Sequence, residues 1–420
     1  MIGILYTTKN KVGDALKWLA DHRLFVMGFG VMVAFWPTML SPTYTPRWAA
    51  IAVLVPLCCK LDPRDIPASL RWVFIVVLTA GFMATRWASP DPMGGYLEMM
   101  FVVMLGLAFI AGANLESLDE VMDGVGAGLA VSVFVSLYQL STASDQGRDG
   151  LFGAPPIGMF GNSEVFAELA ALVFVWAAAR PRIIVASIAA LPLLLCNSRI
   201  AIFSALAGLL FAYGPKSKLR MAAAVIGLVI AGMSLVFIFG SGKVMSADHR
   251  LIIWTTTFLS WTQFGHGLGW FQASYPQEEF AHSDALQTIA EFGIAGFALL
   301  AIPFMAFKSN RGTNADRAVF FAVCIEIAFS FPLHMPASGF VAAIVAGFLV
   351  SRRPVVLLGS DLSGYEDGLR VRRSEASDFT AFGGGPRVGR AVPVRSLFKA
   401  SARLRREVDR IDPGAAAGKL

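Results

Sequence analysis

Apolar runs long enough to cross a hydrocarbon core of about 30 Å recur along this chain from residue 24 to residue 351. That recurrence constrains the fold more than any motif does. In lipid every backbone N–H and C=O must be satisfied within the protein, so repeated runs of this kind fold as helices packed side by side. The expected fold is therefore an all-α polytopic membrane protein. The spacing predicts spans near 24–41, 46–60, 70–87, 97–114, 124–141, 163–179, 183–197, 199–214, 221–240, 284–307, 317–334 and 337–351. The second and last are short, and the break between the seventh and eighth is inferred from Asn197-Ser198-Arg199. About twelve spans place both termini on one side.

Charge sets the orientation. With a cytoplasmic N-terminus, fifteen Lys and Arg fall on inner segments before residue 351 and six on outer ones: Arg47, Arg86, Arg148, Arg199, Lys243 and Arg250. The positive-inside rule favours this arrangement, with both termini cytoplasmic. The segment Asn114–Asp123 dissents, being acidic where an inner loop is expected, although acidic residues weigh little in that rule. The pI of about 9.2 reflects this sorting of charge, and nucleic acid is not an expected partner. Met1–Arg23 has lysines but no short apolar stretch ending at a small-residue cleavage site, so no cleavable signal peptide is expected. The four cysteines lie in or beside apolar runs without CxxC spacing and read as packing residues.

Two domains are expected: a transmembrane domain over 1–350, containing a compact periplasmic loop at 241–283, and a basic cytoplasmic tail over 351–420 that is disordered by composition. The tail's Arg-rich stretches suit contact with anionic membrane lipids, and Ser396–Ile411 has sparse apolar positions for a short amphipathic helix. The loop region carries the chemistry. It is the longest hydrophilic interval before the tail and runs through SGKVMSADHR to GHGLGWF and AHSDALQ, with two glycine turns, Gly265-His266-Gly267 and Leu268-Gly269-Trp270.

Several side chains near the outer face are candidates. His282 precedes a span, where a neutral imidazole is able to take a proton from a hydroxyl near neutral pH; an ordinary loop histidine is the plain alternative. Asp284 is spaced from Gln287 as in a capping box, and residues two apart do not share a helix face, so a cap is preferred to a partner for His282. Arg199 lies between apolar runs, where a guanidinium fork suits phosphate oxygens or fixes a helix end; Arg250 lies on the loop. Two outward arginines would hold a diphosphate leaving group while a histidine deprotonates an attacking alcohol. Asn162 or Ser163 caps the sixth span, and Glu164 and Glu168, one turn apart on a shared face, need an aqueous or paired setting. Glu291 and Glu326 are further carboxylates within spans, and Glu278-Glu279 reads as solvated. No metal-ligand cluster is visible in the sequence.

Three stretches in order carry a resemblance: GMFGNSEVFA at 158–167, Asn197-Ser198-Arg199, and the loop with Arg250, Trp254 and GHGLGWF ending in AHSDALQTIAEFGIAG. Together they resemble the O-antigen ligase and polymerase superfamily of bacterial polysaccharide assembly, over roughly Gly158–Gly296. Two positions depart from that family's pattern: Ser283 and Glu164 stand where Asn is common. The resemblance implies a multi-pass protein of the bacterial inner membrane and periplasmic transfer of a glycan from an undecaprenyl-diphosphate-linked oligosaccharide to an acceptor hydroxyl, without a metal or other cofactor. It implies His282 as the base and Arg199 and Arg250 as diphosphate clamps, with Asn162, Glu164 and Asp284 in support. The compact loop favours a repeat-unit polymerase, for which a chain-length regulator is an expected partner, over a ligase acting on a lipid A–core acceptor. A lipid-linked oligosaccharide transporter using Glu164, Glu168, Glu291 and Glu326 is the rival of another class, and a scaffold docking through the tail is a third.

Overall fold

A computed structural model describes residues 14, 17–35, 44–142, 157–196, 198–214, 244–275, 281–299, 301–309 and 311–352. The expected span at 221–240, Glu278-Glu279 and the tail from residue 353 lie outside the described residues. Everything described is helix, turn or irregular chain, with no strand among the described residues. The first eight helices are α1 (Arg23–Val33), α2 (Thr45–Cys58), α3 (Ala68–Trp87), α4 (Pro92–Asn114), α5 (Asp119–Thr142), α6 (Ser163–Ala179), α7 (Ile183–Leu195) and α8 (Arg199–Tyr213). After them come α9 (Val244–Leu259), α10 (Trp270–Ser274), α11 (Asp284–Phe292), α12 (Ile294–Ala298), α13 (Ala301–Lys308), α14 (Asn314–Phe329) and α15 (Pro336–Val350).

The α3 and α4 helices and residues Asp119–Ser141 of α5 are long and apolar enough to cross a membrane, at about 1.5 Å per residue. Trp72, Trp87, Phe134, Ile183, Ile184 and Leu194 are all exposed, an apolar surface that suits lipid rather than water. The centre is built from helices apolar on every side. Every residue of α15 is buried, as are twelve of the seventeen in α6.

Close helix contacts depend on glycine. A Cβ on Gly347 of α15 would lie 2.0 Å from the Phe109 carbonyl oxygen of α4, and one on Gly112 of α4 would lie 2.1 Å from the Ile344 carbonyl oxygen of α15. The α1–α5 pair repeats the arrangement: Gly28 faces the Val121 carbonyl and Gly124 the Phe25 carbonyl. Backbones approach this closely only where no side chain intervenes, the usual means of joining helices in lipid.

The loops sort into two ends. At one, Arg180 pairs with Asp119 and with Asp316 (2.6 Å), and Arg182 pairs with Asp123. Arg311, buried at this end, donates to the Ala113 carbonyl (3.3 Å) and the Leu115 carbonyl, with its guanidinium 4.5 Å from the Phe348 ring centre. The acidic segment that dissented from the charge rule therefore serves as the counter-charge for Arg180 and Arg182. At the other end lie the N-termini of α6, α8 and α11 and the turn between α14 and α15. The expected single span at 284–307 is not continuous. It breaks at Gly293, whose φ of 59° no β-branched residue tolerates well, into α11 and α12, and again before α13.

Gly347→Ala is expected to force α4 and α15 apart and destabilise the fold by about 1–3 kcal/mol, the range for overpacking a close contact. Unfolding of the purified protein in detergent by SDS titration checks this. Wild-type stability in the variant would show that the helices do not meet this closely.

Candidate functional site

Local capping builds the α6 end. Asn162 is extended and accepts from the Glu164 amide at 2.7 Å, as a helix start after a polar residue requires. This leaves Glu164 near the surface and places Glu168, one turn on, in the interior. Glu164 Oε2 lies 3.5 Å from Arg250 on α9, a loose contact between side chains that are both partly exposed. Glu168 accepts from the Ser330 hydroxyl in the α14–α15 turn. The paired setting that the sequence demanded for these two carboxylates is present, with a different partner for each.

The α9 helix is tied to His282. One turn beyond Arg250, Trp254 donates its indole N–H to the Ala281 carbonyl at 2.9 Å and its ring lies 6.2 Å from Phe329. His282 follows Ala281 directly and packs edge-on against Phe331 at 5.3 Å between ring centres. The contacts close a ring: Arg250, Glu164, Glu168, Ser330, Phe331, His282, Ala281 and Trp254. His282 has φ of 53°, a left-handed conformation costly for a residue with a Cβ and concentrated at functional sites. Arg250 and His282, 32 positions apart in sequence, thus border one site at the end of the bundle that carries the α6 N-terminus.

Arg199 is placed differently. It is the first residue of α8, partly buried, behind Ser198, whose hydroxyl caps the helix by accepting from the Ala201 amide at 3.4 Å. The α8 helix starts at the same end of the bundle as α6: their C-terminal ends meet where Tyr213 donates to the Ala178 carbonyl at 2.6 Å. The structure thus brings two of the three expected residues, Arg250 and His282, into one ring and leaves Arg199 at the same end.

Asp284 corrects its sequence reading. It neither caps α11 nor pairs with His282. Ser283 is the cap, accepting from the Leu286 amide at 3.3 Å, and Gln287 accepts from the Ala281 amide at 3.1 Å. Asp284, fully buried, binds His334 Nδ1 at 2.5 Å and accepts from the Leu333 amide at 2.6 Å, while its own amide donates to the Ser330 carbonyl at 2.8 Å. Burial alone would lower the His334 pKa; Asp284, Glu98 and Glu291 outweigh it and push the imidazole up to about 9. His334 is accordingly committed at Nδ1 to the buried Asp284 carboxylate.

The glycine turns position the loop. The amides of His266 and Gly267 donate to the Ala290 and Glu291 carbonyls at 3.0 and 2.9 Å, and Leu268 N donates to Thr85 Oγ1 at 3.0 Å. A Cβ on Gly267 (φ 81°) would sit 2.5 Å from the Thr85 backbone, which explains that glycine. Sequence reasoning missed His334 and Glu98, and it read Gln287 as a capping partner where it holds the Ala281 amide and Glu291. His334 sits in an apolar run, FPLHMP, and its flanking prolines were the available sign of a turn.

Replacing Asp284 with Asn is expected to cost roughly 1.5–3 kcal/mol, the range for a hydrogen bond to a charged group. SDS unfolding of Asp284→Asn beside Ser283→Ala measures it, the second losing only a cap, about 1 kcal/mol. Equal, small losses in both would show that the His334 pair contributes nothing. No protein-family model and no curated protein matches the chain, so the ring of residues described above carries the functional reading.

Proposed function

We propose that the chain is a multi-pass inner-membrane glycosyltransferase of about twelve helices, with cytoplasmic termini and its site on the periplasmic face. It transfers a glycan from an undecaprenyl-diphosphate-linked oligosaccharide to an acceptor hydroxyl, as a polysaccharide repeat-unit polymerase. The observation that carries the reading is the ring that ties Arg250 to His282 through Trp254 and through Glu164, Glu168 and Ser330.

His282 removes the acceptor hydroxyl proton as that oxygen bonds to the anomeric carbon of the donor. The bond from that carbon to the diphosphate oxygen breaks, and the lipid diphosphate leaves with the electron pair. Arg250 meets the charge that develops on it. Its contact with Glu164 is long and partly exposed, so a diphosphate competes with the carboxylate for the guanidinium at small cost. Arg199, at the start of α8, is the second diphosphate ligand. His334 is engaged by the buried Asp284, whereas His282 stands in the ring with Arg250.

A lipid-linked oligosaccharide transporter is a second reading, favoured by one observation. Glu168 and Glu326 are fully buried, and each has one carboxylate oxygen without a hydrogen-bond partner among the described residues. Glu326 also accepts from Ser204 on α8 at 2.8 Å. Carboxyls of this kind within a membrane domain often move ions or protons.

The full chain in liposomes, with a lipid-diphosphate-linked repeat unit as sole sugar source, tests these readings. Wild type is expected to lengthen the glycan and release lipid diphosphate. His282→Ala is expected to lose about 10²–10⁴-fold in rate, the usual contribution of a general base. Arg250→Ala should lose about 10²-fold or more, as for removal of a charge-stabilising donor. Release only after a lipid A–core acceptor is added would identify a ligase. Donor crossing the bilayer without release, unchanged in His282→Ala, would identify the transporter and overturn the transferase.

A further inference from the structure

Beneath the glycine turns, three elements distant in sequence converge on one spot. Glu98 comes from α4, Glu291 from α11 and His334 from the α14–α15 turn, and a ligand atom of each lies within 4.8 Å of the other two. We propose that Glu98, Glu291 and His334 bind a divalent transition-metal ion of the zinc or manganese class, with Asp284 holding the imidazole from its far side. Nothing in the transfer step proposed above uses this ion, and the inference stands apart from that reading.

Three features support it. The first is the donor set. Two carboxylates and one imidazole form a mixed N/O set that suits zinc or manganese, whereas calcium and magnesium take oxygen ligands. Ligand atoms around a tetrahedral zinc are roughly 3.4 Å apart for bonds of about 2.1 Å, so side-chain rotations of about an ångström close the site.

The second is the surroundings of each donor. Asp284 Oδ1 binds His334 Nδ1 at 2.5 Å, so in the proposed site the ion is met by the other ring nitrogen, Nε2. A carboxylate behind a ligating histidine is the usual way a protein fixes its tautomer and ring orientation. Glu98 Oε2 accepts from the Gly269 amide at 3.3 Å, and Glu291 Oε1 accepts from the Gln287 amide group at 3.2 Å. Each donor is thus oriented by a group outside the cluster. Gly269 lies in one of the two glycine turns and Gln287 on the same helix as Glu291, so the site and the loop above it are built together.

The third is charge. The ionisable groups acting on the three from neighbouring elements are Asp284 and Asp91, both acidic. Glu98 and Glu291 are like-charged groups brought together, and Glu291 and Asp284 are fully shielded from water. A divalent ion supplies the missing charge where solvent cannot, and joins α4, α11 and the α14–α15 turn as a brace under the loop.

The test uses the full chain, purified in detergent without an affinity tag, stripped with EDTA and titrated with ZnCl₂ or MnCl₂. Isothermal titration calorimetry for zinc, and electron paramagnetic resonance for manganese, are expected to show saturable binding of a single ion per chain, with a raised Tm. Glu291→Gln, Glu98→Gln and His334→Asn should each weaken binding at least about 100-fold, and Asp284→Asn about 10–100-fold, as for loss of an outer partner. Glu326→Gln, on a different carboxylate, should bind as wild type. Should a variant fail to fold, Co²⁺ added to the wild type decides: visible absorption bands of a low-coordinate N/O site support the proposal. No saturable binding, binding unchanged in the folded ligand variants, or an octahedral aquo-like Co²⁺ spectrum overturns it.

Discussion

Asp284 is the residue on which the His282 end of the molecule depends. Its amide and both carboxylate oxygens engage the turn between α14 and α15, at Ser330, Leu333 and His334. A buried carboxylate is tolerable only when its lone pairs are satisfied and its charge is met. Here one short turn does both, so the start of α11 cannot move without the α14–α15 connection. The consequence passes directly to the neighbours in sequence. Ser283 caps the helix, His282 is held in its left-handed conformation against Phe331, and Ala281 receives Trp254 from α9. A conformation that a β-carbon disfavours persists because the residues on both sides are fixed.

What holds the helices in register is of a different kind. Between α4 and α15, and between α1 and α5, the contact is backbone on backbone across paired glycines, with little for side chains to specify. Directional polar contacts are concentrated at the two ends, where chain leaves the apolar layer. At the end away from His282 they are arginine pairs: Arg180 with Asp119 and Asp316, and Arg182 with Asp123. The interior is thereby left to shape, and the ends fix which helix sits beside which.

This division explains what could be read from sequence. Apolar runs and helix caps are local, so α3, α4 and α5 were legible, as were the cap at Asn162 before α6 and the break at Asn197-Ser198-Arg199 before α8. The pairing need of Glu164 and Glu168 was legible from their one-turn spacing, but the identity of the partners was not, because Arg250 and Ser330 lie 86 and 162 positions away. Asp284 was misread for the same reason. Its spacing to Gln287 imitates a cap, while its actual partner stands 50 residues on within what reads as an apolar span. Gly293 reads as one more glycine in an apolar run. Only the neighbouring backbone of Gln263 and Phe264, crowded against it, shows why the chain breaks there.

The arginines differ in how firmly they are held. Arg311, almost wholly buried, is committed to the Ala113 and Leu115 carbonyls and the Phe348 face, and Arg180 to two aspartates. Guanidinium groups held so firmly are structural, since displacing their partners would leave buried oxygens unsatisfied. Arg47, at the His282 end, is of this sort too, donating to the Met32 and Met159 carbonyls. Arg250 contrasts with all of these. It touches one half-exposed carboxylate at the limit of hydrogen-bond distance, and Glu164 can turn to solvent when an anion arrives. A cation that is positioned by its helix but weakly paired is what anion capture requires, because little must be broken before the new bonds form. The contrast therefore lies between individual arginines, Arg250 being the loosely held one beside His282, and it follows from how tightly each is already bound rather than from how many there are.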